Sequence, residues 1–412
     1  MLEKVKTEKK FLHDYREIIG EEELKAIQEL ALPLKGKRVV HINSTSFGGG
    51  VAEILSALVP LMNDVGLETD WQVIKGSDEF FNATKILHNG LQGMEVRLSR
   101  EVKEVFLKYN QLNEQWLEGE YDFVVIHDPQ PVAILNYRKE KKGNWIWRFH
   151  IDPTNAQENV WRFIKPYIEK YDAAIFTLKE YVKEDLKVKK IAIIPPAIDP
   201  LSPKNIELSQ EEINNIVTRY NVDLNRPIIT QVSRFDPWKD PLGVIDMYRE
   251  VKKEIKNVQL VLIASMAHDD PEGWEYYEKT ARHAGEDYDI HLLSNIKGVG
   301  NLEVNAFQRA SDVIIQKSLR EGFGLVITEA LWKGKPVVAA KVGGIPLQVD
   351  NRRTGYLVGD VNEGAERVIY FLKHPAIARE MGIAGKEYVR KKFLITRLLK
   401  DYLSLFNSFL SQ

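Results

Sequence analysis

The chain has 412 residues, a formal net charge of −2, 44% hydrophobic and 28% charged residues, and no cysteine. That is the composition of a soluble globular protein with room for two cores, and the near-zero charge gives no electrostatic reason to expect nucleic acid or an acidic membrane as partner. The missing cysteines exclude disulfides, thiolate catalysis and Cys-ligated zinc, and with abundant Lys and Glu they fit a thermophile's protein.

Residues 1 to 35 read as charged helical segments, and MLEKVKTEKKFLHDY lacks a signal-peptide apolar region. No apolar run nears the roughly 18 residues that span a bilayer, so a cytoplasmic protein is expected. KRVVHI (37–42) reads as a buried strand, followed by the glycine loop NSTSFGGG and a helix ending at Gly66. Further strands are expected at 67–76, 121–128, 144–152, 171–177 and 190–196, with helical patterns between them. Four prolines in IIPPAIDPLSPKN (193–205) fit neither a helix nor a central strand and read as an interdomain linker. Alternation restarts with apolar runs at 226–233, 258–265, 289–293, 312–316 and 335–340. Strand–helix alternation of this kind predicts an α/β protein with parallel sheets covered on both faces. The expected picture is two Rossmann-like domains facing a central cleft, with ligands at strand carboxyl ends. The domains are expected at 1–200, completed by a C-terminal helix in 390–412, and at 206–389.

The segment SLREGFGLVITEAL (318–331) sets Glu321 in the loop after a strand and Glu329 in the helix that follows. Gly322 and Gly324 let the backbone approach a ligand, and the helix start suits phosphate. Carboxylates beside such a site suit the hydroxyls of sugars attached to the phosphate. Spacing alone says little, because Glu21 and Glu29 share it on a helix expected to be solvated. Arg234 and Lys239, in SRFDPWKD after a strand, suit a diphosphate as guanidinium fork and compact ammonium; the plain alternative is an ion pair with Asp236 or Asp240. Gly49 and Gly50 read as a tight turn beneath the reaction centre that binds the donor, with a purely structural turn as the plain alternative. Glu53 stands where a dinucleotide fingerprint starting at Gly48 needs its third glycine, which disfavours NAD. His150 is expected to end a strand. For His127 and Asp128, at the end of the neighbouring strand, functional and structural roles both stay open. The nine histidines show no metal-ligand spacing.

EGFGLVITE resembles the signature of retaining GT-B glycosyltransferases of the GT4 type. VSRFDPWKDP, the proline linker with AIDP, VGGIP and the C-terminal helix extend the resemblance over nearly the whole chain. Within that group, NSTSFGGGVAEIL and WRFHIDPTNAQENVWRFIKPYIEKYDAAIF resemble the trehalose glycosyltransferring synthases. The resemblance implies retaining transfer of glucose from a nucleoside diphosphate (UDP-, ADP- or GDP-glucose) to free glucose, giving trehalose. It implies that Arg234 and Lys239 neutralise the leaving diphosphate, Glu321 holds donor hydroxyls and Glu329 binds the ribose. Phe323, Gly324 and Leu325 would offer backbone N–H groups, and His150 would lie beside the donor glucose. No dedicated metal site is implied; any Mg²⁺ would travel with the diphosphate. The acceptor-side loops NSTSFGGGVAE (43–53) and HIDPTNAQENVW (150–161) contain no Lys or Arg. They offer Asn43, Ser44, Glu53, Asp152, Asn155 and Trp161, a set suited to an uncharged sugar. A trehalose phosphorylase, a sucrose or glycogen transferase, and a non-catalytic sugar-nucleotide-binding protein are the alternatives, and a homodimer stays open.

Overall fold

The apolar, β-branched runs become strands because a parallel sheet covered by helices buries both faces of each strand. The computed structural model describes residues 1–266 and 271–410. Residues 411 and 412 of the expected C-terminal segment lie outside the described residues.

In the first unit the strands are β1 (Glu3–Lys4), β2 (Arg38–Asn43), β3 (Glu68–Val73), β4 (Phe123–His127), β5 (Asn144–Arg148), β6 (Ala173–Phe176) and β7 (Lys190–Ile193). They form one sheet of order β1-β3-β2-β4-β5-β6-β7. Every pairing is parallel except that of β1 with β3. The second unit has β8 (Ile228–Val232), β9 (Gln259–Ala264), β10 (Ile290–Ser294), β11 (Val313–Gln316), β12 (Val337–Ala340) and β13 (Gly355–Val358). Its order is β10-β9-β8-β11-β12-β13, parallel throughout. Each sheet reverses its winding once, between β2 and β4 and between β8 and β11. Such switch points leave a crevice at the strand carboxyl ends, where doubly wound sheets bind ligands.

Two strands, β1 and β13, were not expected. The two-residue β1 is exposed and carries no apolar pattern. β13 is an edge strand opening at Gly355, where a Cβ would come within 2.5 Å of the Val337 carbonyl. β5 also stops earlier than expected. Its neighbour β4 ends at His127, and Asp128 turns away in the left-handed region (φ 62°). His150 therefore stands two residues past β5 rather than at its end.

The units are Met1–Ala197 with Ile395–Gln412, and Ile198–Leu394. The proline-rich segment is thus shared out. Its second half is anchored in the second unit, where buried Asn205 donates to Asp199 O (3.0 Å) and accepts from Lys333 Nζ (2.9 Å). Among the described residues, no helix is long and apolar enough to cross a membrane.

The C-terminal helix Ile395–Leu410 belongs to the first unit because one stripe of it is apolar: Ile395, Leu399, Tyr402, Leu403 and Phe406 are buried. The Phe406 ring stacks on Phe123 of β4 with centroids 4.3 Å apart. Arg397 ties its first turn to the carbonyls of Pro195 (2.8 Å) and Pro196 (3.0 Å). Phe406→Ala is expected to cost about 3–5 kcal/mol, read as a lower urea midpoint. An unchanged midpoint would place this helix outside the core of the first unit.

Candidate functional site

In the second unit, the loops leaving β8 and β11 on either side of the switch point are fastened to each other. Gln231, buried in β8, donates to Lys239 O (3.0 Å) and accepts from the Lys317 amide (3.1 Å). Leu319 N donates to Trp238 O at 2.7 Å, and the Arg320 guanidinium lies 4.6 Å over the Trp238 ring. Lys317 pairs with Asp240, which also caps the next helix by accepting from Gly243 N (3.1 Å). These contacts bring two expected site residues together: Lys239 Nζ donates to Glu321 Oε2 at 2.7 Å. Ser318 Oγ donates to the same oxygen at 3.2 Å. Arg234 instead forms the plain ion pair foreseen for it, with Asp236 at 3.0 Å, and its side chain is 67% exposed. Asp236 in turn accepts from Trp238 N (2.8 Å), which fixes the turn carrying Lys239.

The Glu321–Gly324 backbone is held from below. A Cβ on Gly344 would fall 2.5 Å from Gly322 O and 2.9 Å from Phe323 Cα, so only glycine permits that approach. Buried Gln348 donates to Phe323 O. Gly324 takes φ 84° and heads the helix Leu325–Trp332. The Phe323 ring is buried, 5.6 Å from that of Phe393, so it packs in the core. Glu329 has partners of its own. It is 1% exposed, accepts from Gln308 Nε2 (3.4 Å) and lies 3.6 Å from Lys204 Nζ. Lys333, beside it, is pushed down to about 7 by burial, against the pull of Glu329.

In the first unit, β2 delivers Asn43, whose side chain accepts from Trp71 Nε1 (2.7 Å) and donates to Thr45 O (2.6 Å). Ser44 is half-buried, and Gly48 and Gly49 both take positive φ. Gly50 begins the helix Gly50–Asp64, on whose first turn Glu53 is exposed. Asp152 accepts from Thr154 N (2.9 Å), and Asn155 is exposed. Trp161 is a correction to the expected acceptor set. It is 2% exposed in the core, and its indole N–H is committed to Asp185 (3.0 Å). The helix Glu158–Ile168 buries Val160, Trp161, Ile164 and Ile168 on one stripe, so the tryptophan offers no face to a sugar. Arg162, on the opposite side of that helix, is exposed and bonded to Glu158 (2.6 Å).

Sequence reasoning singled out His150 and left His127 open, but it missed that they form a row with His41. His41 Nδ1 and His127 Nε2 are 2.9 Å apart, and so are His127 Nδ1 and His150 Nε2. Asp128 orients the outer end by accepting from the His150 amide (2.8 Å). Burial pushes His41 down from 6.5 to about 3. Burial first, and then the neighbouring rings and Arg148, hold His127 well below the ordinary range. His150 is likewise held down by burial and then by Arg148 and His41. Asp128 moves up to about 7 through burial, against the His150 amide and the Arg148 cation. Of the other positions that matter, Ser318 opens SLREGFGLVITEAL and Gly344 lies in VGGIP, while Gln231 and Gln348 carry no motif of their own.

These shifts fix a sign. As pH falls below 6.5 the unfolded chain protonates its imidazoles while folded His41 resists to about 3, so stability is lost on acidification. Asp128 works the other way, because the folded chain keeps its proton up to about 7 and that contribution is lost as pH rises. Three rings outweigh one carboxyl. Stability is expected to fall from about pH 6.5 to 4, and less steeply in His41→Phe. Urea unfolding across that range checks this; equal slopes in both proteins would mean that His41 titrates as an ordinary imidazole.

Residues 41–183 match the family model for "Trehalose synthase, N-terminal domain", and residues 212–388 match "Glycosyl transferases group 1". Trehalose synthase of Pyrococcus horikoshii is 55% identical over 402 residues, 97% of each chain. Trehalose synthase of Rubrobacter xylanophilus is 52% identical over 411 residues, 98% of this chain and 99% of the other. Among solved structures, a UDP-forming α,α-trehalose-phosphate synthase from Burkholderia xenovorans in complex with glucose-6-phosphate has a TM-score of 0.75 at 14% identity. That match covers 90% of this chain and all of the other, and it bears on the fold alone. With two doubly wound parallel sheets and 55% identity over nearly its full length, the chain belongs to the trehalose synthase family of GT-B glycosyltransferases.

Proposed function

We propose that this enzyme forms α,α-trehalose by moving glucose, with retention, from a nucleoside diphosphate glucose to free glucose, and that the reaction runs in both directions. The observation that carries the reading is the Lys239–Glu321 pair at the switch point of the second unit, next to Arg234. Each cation there has a carboxylate partner of its own. A donor's diphosphate would take over Lys239 and Arg234, and its glucose hydroxyls would take over Glu321.

Both the donor's anomeric bond and the product's are α, so configuration is kept. A double displacement needs a carboxylate on the far face of the sugar; Glu321 is assigned to hydroxyls and no spare carboxylate suggests itself. We favour departure and attack on one face. The bond from C1 to the phosphate oxygen breaks, the bond from C1 to the acceptor oxygen forms, and the leaving phosphate takes the acceptor's proton. Catalysis is then positioning plus charge neutralisation. Any Mg²⁺ arrives with the diphosphate. Glu329, already bonded to Gln308, would accept from the ribose.

Neutral glucose suits the first unit better than glucose 6-phosphate. Loops 43–53 and 150–161 carry no Lys or Arg, and Arg162 is engaged with Glu158. Glu53 and Asp152 would repel a phosphate.

The deciding assay offers UDP-, ADP- and GDP-glucose with glucose or glucose 6-phosphate and identifies products by NMR. Trehalose from glucose, with a far lower kcat/KM for glucose 6-phosphate, is expected; the reverse preference would refute the acceptor assignment. In the reverse direction, trehalose should be cleaved with nucleoside diphosphate, and cleavage with inorganic phosphate alone would make the enzyme a phosphorylase. Glu321→Gln should stay folded yet lose kcat by about ten- to a hundredfold, the worth of a charge-assisted bond of about 1.5–3 kcal/mol. Near-normal kcat in that variant would remove Glu321 from the donor site.

A further inference from the structure

The three histidines lie on one face of the first sheet because of its register. His41 pairs with Val125 and His127 pairs with Arg148 across parallel ladders. Paired residues point the same way and alternate residues share a face. The row therefore runs diagonally from His41 on β2, through His127 at the end of β4, to His150 two residues past Arg148. His41 and His127 are almost fully buried, while His150 is only partly so.

We propose that His127 and His41 are positioning residues that fix which nitrogen of His150 carries its proton, so that His150 meets a sugar as a hydrogen-bond donor through Nδ1. The last clause rests on the glucosyl-transfer reading given above; the coupling of the three rings does not.

Each nitrogen–nitrogen contact of 2.9 Å holds one proton. A neutral imidazole has one N–H and one bare nitrogen. Two settings satisfy both contacts: every ring protonated on Nδ1, or every ring protonated on Nε2. Any mixture sets two lone pairs or two N–H groups against each other. The inner end chooses between the two. Among the described residues, no hydrogen-bond partner faces the buried His41 Nε2. An N–H left unpaired in that place is the rarer and costlier state, so His41 keeps Nε2 bare and donates through Nδ1 to His127. His127 donates through Nδ1 to His150 Nε2, and His150 is left with its proton on Nδ1. The Tyr402 ring packs against that of His41, with centroids 5.6 Å apart and planes at 70°.

The groups around the row keep it neutral. Arg148 lies beside His127 and His150 and, among the described residues, has no hydrogen-bond partner at Nε or Nη1. Asp128 binds the His150 main chain rather than its ring. From the C-terminal helix come Tyr402, Arg397 and Asp401, and Asp401 is taken up by Arg397 at 2.6 Å.

The test is the two-bond ¹H–¹⁵N spectrum of the full chain labelled in histidine, with each ring assigned by its substitution. All three rings should show the Nδ1–H form, unchanged between about pH 5 and 8. A His150 protonated on Nε2, rings in different forms, or a His150 that titrates in this range would overturn the proposal. No substrate is needed, so an error about donor or acceptor leaves this result standing. In His41→Phe, His150 should lose its single form and kcat should fall about tenfold with KM for glucose little changed. An unaltered His150 spectrum with unaltered kcat in that variant would also overturn it.

Discussion

An ammonium and a carboxylate that lose much of their water need more than each other. Lys239 and Glu321 are 18% and 10% exposed and 2.7 Å apart, and for such a pair the lost hydration rivals the attraction unless further hydrogen bonds complete it. Much of the loop architecture in the second unit answers that demand. Ser318 gives Glu321 a second donor. Gln231 grips the backbone at Lys239 and at Lys317, so the two loops cannot slide past each other. The Trp238–Arg320 stack and the close approach of Gly344 fix the height and tilt of the segment from 319 to 323. The Lys239 ammonium and the Glu321 carboxylate are thereby held in one fixed geometry.

The two units meet their sheets' carboxyl ends with opposite electrostatic strategies. The second collects full charges and balances them in pairs. The first buries ionisable rings and keeps them uncharged, which avoids the desolvation that paired charges pay. A diphosphate can displace a carboxylate from a cation with little change in local charge. An imidazole that never ionises gives the same hydrogen bond over a wide range of acidity.

Much of this was legible in the sequence. The inner strands stand out as continuous apolar runs, and Glu321, Arg234 and Lys239 stand out because glycines and a strand end mark their loops. What stayed hidden depends on strand order. His41, His127 and His150 look unrelated until β2, β4 and β5 are known to be neighbours, and a single sequence does not state that order. Glu329 and Lys204 are likewise joined only by the fold. Trp161 is different, because the signal for its burial was present. Val160, Trp161, Ile164 and Ile168 have the spacing of one helical stripe, and that periodicity outweighs nearness to a glycine- and asparagine-bearing loop. β13 was missed because an edge strand that begins with glycine and is followed by a polar turn carries little pattern.

The chain leaves the first unit at Ala197 and returns at Ile395. The second unit is therefore an uninterrupted stretch, while the first is sewn from two pieces whose closing helix is made after everything in between. On the ribosome, domains fold as their sequence emerges. Here the earlier domain must wait, with the β4 surface around Phe123 lacking Phe406, until some two hundred residues of the later one have been made and the loop they form has been closed. The step that closes the first unit therefore comes after the whole of the second has been made. The second unit can serve as a finished clamp that brings the two pieces of the first within reach, and the price of the arrangement is a long-lived nascent chain with an apolar flank to shield.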